Sequence, residues 1–199
     1  VEVHGEGPLA EALAAAVGPV AAAEGSTVHR VTHSRWVGVA AGSGHLVLTD
    51  GRTAAQVAAD AGWTDVAVFD HPIRLPMPPG SPLAYAVAGT ASAHWVSQAA
   101  AWLSALGHRP CRVEDSPGLV NARTVAMLIN EAADAVHQGV CTAEGADAAM
   151  KLGVNYPAGP FEWLAAWNAR AVATVIDALD AHYRGERYRV SPWLRARAL

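Results

Sequence analysis

Apolar positions in the first 114 residues alternate between short runs and helical stripes. Short apolar runs typical of strands occur at 1–4, 28–31, 36–40, 45–49, 66–70, 83–87 and 109–113. Apolar residues at helical spacing separate several of these runs, at about 8–17, 52–61 and 91–106. Alternating strands and helices are typical of a layered α/β domain, so we expect a mainly parallel, doubly wound sheet over residues 1–114.

The pattern becomes helical after the turn Asp115-Ser116-Pro117-Gly118. A helix is predicted over 119–138, and its apolar residues lie nearly all round it, so it must be covered on more than one side. Capping residues and apolar spacing predict three further helices: from Thr142 through Met150 with Gly153 ending it, one starting at Pro160, and one from about Asn168 to Tyr183. We therefore expect residues 115–199 to form a compact helical domain.

Composition limits the classes of partner. In 199 residues, 52% are hydrophobic and 16% charged, which suits a packed core and argues against disorder. The net charge of −4 offers no basic patch for nucleic acid, and no apolar run reaches the roughly 20 residues of a membrane span. Cys111 and Cys141 stand alone, without metal-ligand spacing, which favours free thiols over a disulfide. We expect a cytoplasmic protein without a bound metal.

A glycine motif follows the first predicted strand. Gly5, Gly7 and Ala10 form G-x-G-x-x-A ahead of an alanine-rich helix, the order in which a dinucleotide-binding unit begins, because pyrophosphate must approach the backbone and the helix N-terminus closely. Pro8 removes a main-chain N–H there, and residues 28–31 offer no carboxylate for the ribose hydroxyls. We interpret the motif as a fold feature without tight NAD binding. NAD binding through Gly5, Gly7 and Ala10 is the alternative.

Four motifs follow one another between residues 115 and 193: S-P-G-L-V-N-A-R from Ser116, N-E-A from Asn130, D-A-A-M-K-L-G from Asp147 and Y-P-A-G-P from Tyr156. This series resembles the C-terminal helical domain of the 3-hydroxyacyl-CoA dehydrogenases. It is most similar to the repeated second half of the long dehydrogenases of phenylacetate breakdown. The resemblance implies a reduced Rossmann-like α/β domain over 1–114 and a helical dimerisation domain over 115–199. The first region is shorter than the family's complete dinucleotide domain, so elements must be missing from it.

The resemblance also implies an activity: NAD-dependent oxidation of 3-hydroxyacyl-CoA in fatty-acid or aromatic-acid β-oxidation. In that family a histidine takes the hydroxyl proton, a glutamate orients it and an asparagine contacts the acyl group. His71 is the candidate base, whereas Tyr85 stands where the glutamate is expected and cannot act as a carboxylate. Asn121 lies one residue before the family's asparagine position, which is Ala122 here, and one residue on a helix turns a side chain by roughly 100°.

Because these polar positions are altered together, we expect little turnover by the chain alone. Our hypothesis is a degenerate module that dimerises and binds acyl-CoA, either as a homodimer or in association with a full-length dehydrogenase. Two alternatives stay open: an active NAD-dependent dehydrogenase that uses His71, and a purely structural interaction module. The chain begins with Val1 rather than Met, so it is compatible with being part of a longer product.

Other polar and aromatic residues have simpler interpretations. We expect Lys151 to be a solvated residue at a helix end rather than a ligand for an acyl-CoA phosphate. Trp163 and Trp167, four residues apart, are expected in the core or at a subunit contact.

Overall fold

The computed structural model describes residues 1–199, which form two compact units. The first unit contains residues 1–49 and 53–119, and the second contains residues 50–52 and 120–199. None of the helices combines the length and the apolar character that crossing a bilayer requires.

The first unit contains seven strands and three helices. The strands are β1 (Glu2–His4), β2 (His29–Val31), β3 (Gly38–Ala41), β4 (Gly44–Leu48), β5 (Asp65–Phe69), β6 (Pro82–Val87) and β7 (Arg109–Arg112). The helices are α1 (Pro8–Ala23), α2 (Ala54–Ala61) and α3 (Ala93–Ala105). All seven predicted strands are present. The first helix ends six residues later than predicted, because it continues through Gly18 and Pro19.

The strands form one sheet in the order β2-β1-β3-β4-β5-β6-β7. The pairs β1/β2, β4/β5 and β6/β7 are parallel, and the pairs β1/β3, β3/β4 and β5/β6 are antiparallel. The prediction of a mainly parallel sheet is therefore wrong. The physical reason lies in the connections. Only Gly42 and Ser43 join β3 to β4, whereas a parallel crossover needs a dozen or more residues. Residues 70–81, which join β5 to β6, contain no helix that could form such a crossover.

One face of the sheet packs against α1 and α3. Its core contains Val3, Leu46, Phe69 and Tyr85 from the strands, together with Leu13 of α1 and Trp102 of α3. Trp95 and Trp102 meet edge to face, with ring centroids 5.4 Å apart. The Trp95 ring lies directly on Gly44, so that a Cβ at this glycine would overlap the ring. Gly44 is therefore required for the close approach of α3 to β4.

The opposite face of the sheet packs against α2. Val57 of α2 contacts a cluster that includes Val66, Val68 and Ala86. Thr53 and Gln56 form a capping box at the start of this helix. Asp115, the first residue of the predicted turn, accepts hydrogen bonds from the main-chain N–H groups of Ala54 and Ala55 at 2.7 and 2.9 Å. The turn after β7 is thereby fastened to the N-terminus of α2.

The second unit consists of helices α4 (Asn121–His137), α5 (Ala143–Val154), α6 (Pro160–Trp167), α7 (Ala169–Tyr183) and α8 (Pro192–Arg197). The predicted N-cap at Thr142 and the predicted helix starts at Pro160 and at about Asn168 are confirmed, and Asn168 is itself the N-cap of α7. The end of the second predicted helix was wrong: α5 continues to Val154, because Asn155 adopts the left-handed conformation that stops it. Helix α8 was not predicted.

Motif residues of the second unit make structural hydrogen bonds. Asp147 accepts the N–H of Phe161 at 2.7 Å, at the start of α6. Lys151, expected to be solvated, pairs with Glu162, and Glu162 also accepts the N–H of Gly159 at 2.9 Å. These contacts join α5 to α6 at the Y-P-A-G-P loop.

Asn130 ties the C-terminal segment to α4. Its side chain is 2% exposed, donates to the main-chain oxygen of Arg189 at 3.0 Å and accepts the N–H of Ser191 at 2.7 Å. Arg189 also pairs with Asp134 at 3.0 Å. The N-E-A motif thus fixes the chain that leads into α8.

We expect Gly44→Ala to destabilise the first unit by about 1–3 kcal/mol, because the new methyl group must displace the buried Trp95 ring. Urea unfolding followed by circular dichroism measures this change. Gly153→Ala in α5 is the matched control: its Cβ meets nothing within 4 Å, so we expect no loss and a gain of up to about 1 kcal/mol. Equal stability of the two variants would contradict this packing of Trp95.

Candidate nucleotide-binding and active site

The crevice outside the carboxyl end of β1 is where a doubly wound sheet holds a nucleotide. Strand β1 ends at His4, and the chain continues through Gly5 to Gly7, the N-cap of α1. On the other side of β1 lies antiparallel β3, with Gly38 opposite His4. Because β3 runs in the opposite direction, the segment leading into it, residues 34–37, passes the carboxyl end of β1.

This incoming segment packs closely against the glycine turn. A Cβ on Gly5 would lie 2.8 Å from Cγ2 of Val37 and 3.2 Å from the main-chain oxygen of Trp36. The indole ring of Trp36 stacks on the imidazole of His4, with centroids 4.1 Å apart. Nδ1 of His4 lies 3.2 Å from Oγ of Ser34. The chain's own side chains therefore fill the crevice beside Gly5.

Trp36 belongs to an aromatic cluster, which we define as His4, Trp36, His45 and Trp63. Trp36 meets Trp63 edge to face at 5.7 Å, and His45 stacks on Trp63 at 3.7 Å with the rings parallel within 2°. Burial lowers the pKa of His45, a hydrogen bond to the main chain of Ser43 opposes that shift, and the charge of His4 adds to it. Ring contacts of Trp36 with His4, His45 and Trp63 therefore hold residues 34–37 at the end of β1.

Arg30 closes the other side of the glycine turn. Its guanidinium group donates to the main-chain oxygens of Ala10 and Gly5, each at 3.3 Å. A dinucleotide-binding unit places a carboxylate near this end of the second strand, to bind ribose hydroxyls. In this chain the guanidinium group of Arg30 lies in that region instead, and it donates to main-chain oxygens of the turn. The absence of the carboxylate was visible in the sequence, but the bridging contacts of Arg30 were not.

The glycine motif does not fit a dinucleotide. Ala10 is fully buried, as the close packing of helix on strand in such a motif requires. Pro8, however, is the first residue of α1 and has no N–H, and Glu11 places a carboxylate in the first helical turn. Gly7 has φ 88° and open space beside it, so one side of the turn remains accessible. A negative charge at the helix N-terminus would nevertheless repel pyrophosphate there. Val37 and the stacked rings of His4 and Trp36 take up space beside Gly5, next to the turn.

His71, the candidate base, follows β5 in the first unit and is 8% exposed. Its main-chain N–H donates to Oδ1 of Asp70 at 2.9 Å, and its ring bonds to the main chain of Thr49. Burial lowers the pKa of His71 to about 4, and the bond to Thr49 opposes this shift only in part. The imidazole is therefore neutral at pH 7. A base whose pKa lies this far below the working pH has a small driving force for accepting a proton.

Tyr85 occupies the position that the resemblance gives to the orienting glutamate. It lies on β6 directly opposite Phe69 of β5, and it is 6% exposed. Both side chains belong to the core under α1 and α3. Tyr85 is therefore a packing residue, and it brings no carboxylate to the sheet.

Asn121 and Ala122 begin α4 in the second unit. Asn121 is the first helical residue and is half-buried, whereas Ala122 is fully buried. The position of the family's asparagine thus carries a core methyl group. The candidates His71 and Asn121 lie in different units. No group of three or more His, Cys, Asp or Glu side chains is arranged to hold a metal ion.

The fold and the site define an α/β chain with a reduced nucleotide domain and a separate helical unit. Residues 46–117 match the 3-hydroxybutyryl-CoA dehydrogenase reduced Rossmann-fold domain, and residues 118–198 match the 3-hydroxyacyl-CoA dehydrogenase C-terminal domain. The chain therefore belongs to the 3-hydroxyacyl-CoA dehydrogenase family, which is NAD-dependent. Strands β1 to β3, with the glycine motif, precede both matched regions.

Named relatives match about half of the chain or more. The 3-hydroxyadipyl-CoA dehydrogenase of Escherichia coli K12 is 44% identical over 98 residues, which are 49% of this chain and 21% of that protein. The crystal structure of 3-hydroxybutyryl-CoA dehydrogenase from the same organism superimposes with a TM-score of 0.71 at 35% identity, over 78% of this chain and 32% of that one. The match thus spans about a fifth to a third of these relatives' length.

One likeness extends over almost the whole chain. The crystal structure of Mycobacterium tuberculosis FadB2 covers 98% of this chain and 64% of that chain, with a TM-score of 0.63. At 16% identity this likeness shows the fold alone.

The low pKa of His71 predicts a loss of stability in acid. In the unfolded chain His71 takes up a proton near pH 6.5, whereas in the folded chain it does so only near pH 4. The folding stability associated with the neutral His71 ring is therefore complete above pH 6.5 and is lost as the pH falls to about 4. Between pH 7.5 and 4.5 we expect wild type to lose about 2–3 kcal/mol more than His71→Gln does. Urea unfolding at a series of pH values measures the difference.

The exposed His29 provides the control, since His29→Gln should keep the wild-type pH profile. Parallel profiles for wild type and His71→Gln would show that His71 is protonated alike in both states, and would contradict its burial as a neutral ring.

Proposed function

We propose that this chain is a non-oxidising member of its family, which dimerises and holds acyl-CoA for a catalytic partner. One observation carries the proposal: Trp36 and Val37 fill the crevice at the carboxyl end of β1, where the hydride acceptor would have to lie. Without a bound hydride acceptor, a catalytic base and its orienting carboxylate cannot oxidise the hydroxyl group. The buried Tyr85 and Ala122 at two expected polar positions support the same conclusion.

The proposed ligand is a 3-hydroxyacyl-CoA or 3-oxoacyl-CoA ester. The relatives are named for 3-hydroxyadipyl-CoA and 3-hydroxybutyryl-CoA, which are CoA esters of short acyl groups. The helical unit, which matches the family's C-terminal domain, would supply its share of the acyl-CoA cleft. We place the chain in β-oxidation of fatty or aromatic acids, with phenylacetate breakdown as the specific case that the sequence motifs favour.

The proposed partners are a second copy of this chain and a full-length dehydrogenase of the same family. In this proposal the chain acts in the cytoplasm, where the free thiols of Cys111 and Cys141 would remain reduced.

An active dehydrogenase is the second candidate function, and one observation favours it. The buried imidazole of His71 is neutral at pH 7, which is the form that can accept a hydroxyl proton. This candidate requires the segment of residues 34–37 to leave the crevice when NAD binds.

Calorimetric titration of the purified chain with NADH and with acetoacetyl-CoA tests the proposal. We expect no saturable heat from NADH up to about 1 mM, the upper end of ordinary enzyme affinities, and saturable binding of acetoacetyl-CoA. Absorbance at the NADH band, with 3-hydroxybutyryl-CoA and NAD, should stay constant. A full-length dehydrogenase serves as the positive control for both assays.

Other results would identify the rival functions. NADH formation by wild type that disappears in His71→Gln would overturn the proposal in favour of an active enzyme. Binding of neither NADH nor acyl-CoA by a chain that still self-associates would leave a purely structural module.

A further inference from the structure

Three polar side chains meet beside the glycine turn of the first unit, and none of them belongs to the candidate oxidation site. Nδ1 of His4 lies 3.2 Å from Oγ of Ser34, and Nε2 of the same ring lies 3.1 Å from Oε2 of Glu2. A hydroxyl, an imidazole and a carboxylate in this order are the parts of an activated nucleophile. We call Glu2, His4 and Ser34 the Ser34 triad. All three residues precede residue 46, where the family match begins.

The tautomer of the His4 ring follows from its two partners. A carboxylate has no hydrogen to donate, so the contact with Glu2 requires a hydrogen on Nε2. In the neutral ring Nδ1 then carries a lone pair, and it accepts the hydroxyl hydrogen of Ser34. The proton of Ser34 therefore already points along the path that it takes when its oxygen attacks a carbonyl carbon.

Packing and a main-chain donor fix the geometry of the triad. The indole of Trp36 stacks on the ring of His4, with 17° between their planes. The main-chain N–H of Trp36 donates to Oγ of Ser34 at 3.3 Å. This donor stabilises the negative charge that develops on Oγ as the hydroxyl loses its proton. The side chain of His4 is 14% exposed and Ser34 is half-buried, so both remain within reach of a small solute.

Arg35 follows Ser34 in the chain and adds positive charge beside it. The residue is exposed, and neither its main-chain N–H nor its guanidinium group makes a hydrogen bond or an ion pair within the chain. A free N–H on the residue after a nucleophile is a common donor to the oxyanion that forms during acyl transfer. The four residues thus supply a nucleophile, a base, an orienting carboxylate and an oxyanion donor.

We propose that Ser34 is an acyl-accepting nucleophile and that the Ser34 triad hydrolyses activated carboxylic esters and thioesters. Oγ of Ser34 attacks the carbonyl carbon while its proton passes to Nδ1 of His4. The bond from the carbonyl carbon to the alcohol or thiol breaks, and the leaving group takes that proton. Water then attacks the acyl-serine and gives a proton to His4, the carboxylic acid leaves, and the proton returns to Ser34.

Exposure limits how reactive this nucleophile is. The side chain of Glu2 is 55% exposed, so water and salt screen its charge at the imidazole. The Ser34 triad therefore suits substrates whose leaving group departs easily, which are aryl esters and thioesters rather than amides. The activity does not rest on the proposed function, because it requires neither NADH nor any residue of the helical unit.

Labelling of the full chain with a fluorophosphonate, which phosphonylates activated serine hydroxyls, tests the nucleophile directly. We expect peptide mass spectrometry to find the label on Ser34. We expect at least about tenfold less label in His4→Phe, which keeps an aromatic ring against Trp36 but removes the base. Ser104→Ala is the matched control, since Ser104 is exposed and donates only to the main-chain oxygen of Ala100. A label spread evenly over exposed serines, or no label, would overturn the proposal.

The probes for turnover are p-nitrophenyl acetate, an aryl ester, and acetyl-CoA, a thioester. Released thiol is measured with a disulfide reagent, after subtraction of the signal from Cys111 and Cys141. We expect Ser34→Ala to lower kcat for both probes at least about tenfold, and Glu2→Gln to lower it about threefold to tenfold with KM unchanged, because glutamine accepts from Nε2 but carries no charge. Ser104→Ala should keep the wild-type rate.

The outcomes separate this activity from the proposed function. A wild-type chain that hydrolyses neither probe, or a Ser34→Ala chain that hydrolyses both at the wild-type rate, would overturn the Ser34 triad and leave the proposed function standing. A burst of nitrophenol that is absent in Ser34→Ala would demonstrate the acyl-serine. Because Ser34→Ala removes only one half-buried hydroxyl, we expect it to unfold close to the wild-type temperature, which circular dichroism checks.

Discussion

Pairing of antiparallel β3 with β1 is the constraint on which the rest of the first unit depends. It sets Gly38 opposite His4, where a Cβ would overlap the carbonyl of Leu46 and lie 2.8 Å from the Trp36 ring. It also carries the segment before β3 across the carboxyl end of β1. The aromatic cluster, the close contact at Gly5 and the loss of the nucleotide crevice all follow from the direction of this one strand.

The sequence predicts the positions of the elements better than their pairing. Apolar runs report that a strand is buried, but not whether its neighbour runs parallel to it; the two-residue link at Gly42 and Ser43 was the available signal for β3 and β4. In the candidate site, the altered residues Tyr85 and Ala122 were readable from the motifs. The filling of the crevice by Trp36 was not, because it arises from contacts between distant strands.

The two units differ in what their polar residues do. In the helical unit, Asp147, Glu162 and Asn130 make the hydrogen bonds that join helices and fix the C-terminal segment. Removing such a group would leave buried main-chain donors or acceptors without partners, which costs more than the bond itself contributes. In the first unit, the positions expected to carry chemistry hold packing residues or a buried neutral imidazole. The fold thus retains the family's framework, while Val37 and the stacked rings of His4 and Trp36 pack against the glycine turn of its first unit.

Occupation of the space at the carboxyl end of β1 by Val37 and Trp36 can be tested directly. Nuclear magnetic resonance of the isotopically labelled chain, titrated with NADH, reports on that crevice through the amide signals of Gly5 and Gly7 and the indole N–H signal of Trp36. We expect these signals to stay in place, with the Trp36 ring in contact with His4 throughout. Saturable shifts of all three, with loss of the contact between Trp36 and His4, would show that NADH displaces the segment and would contradict the account.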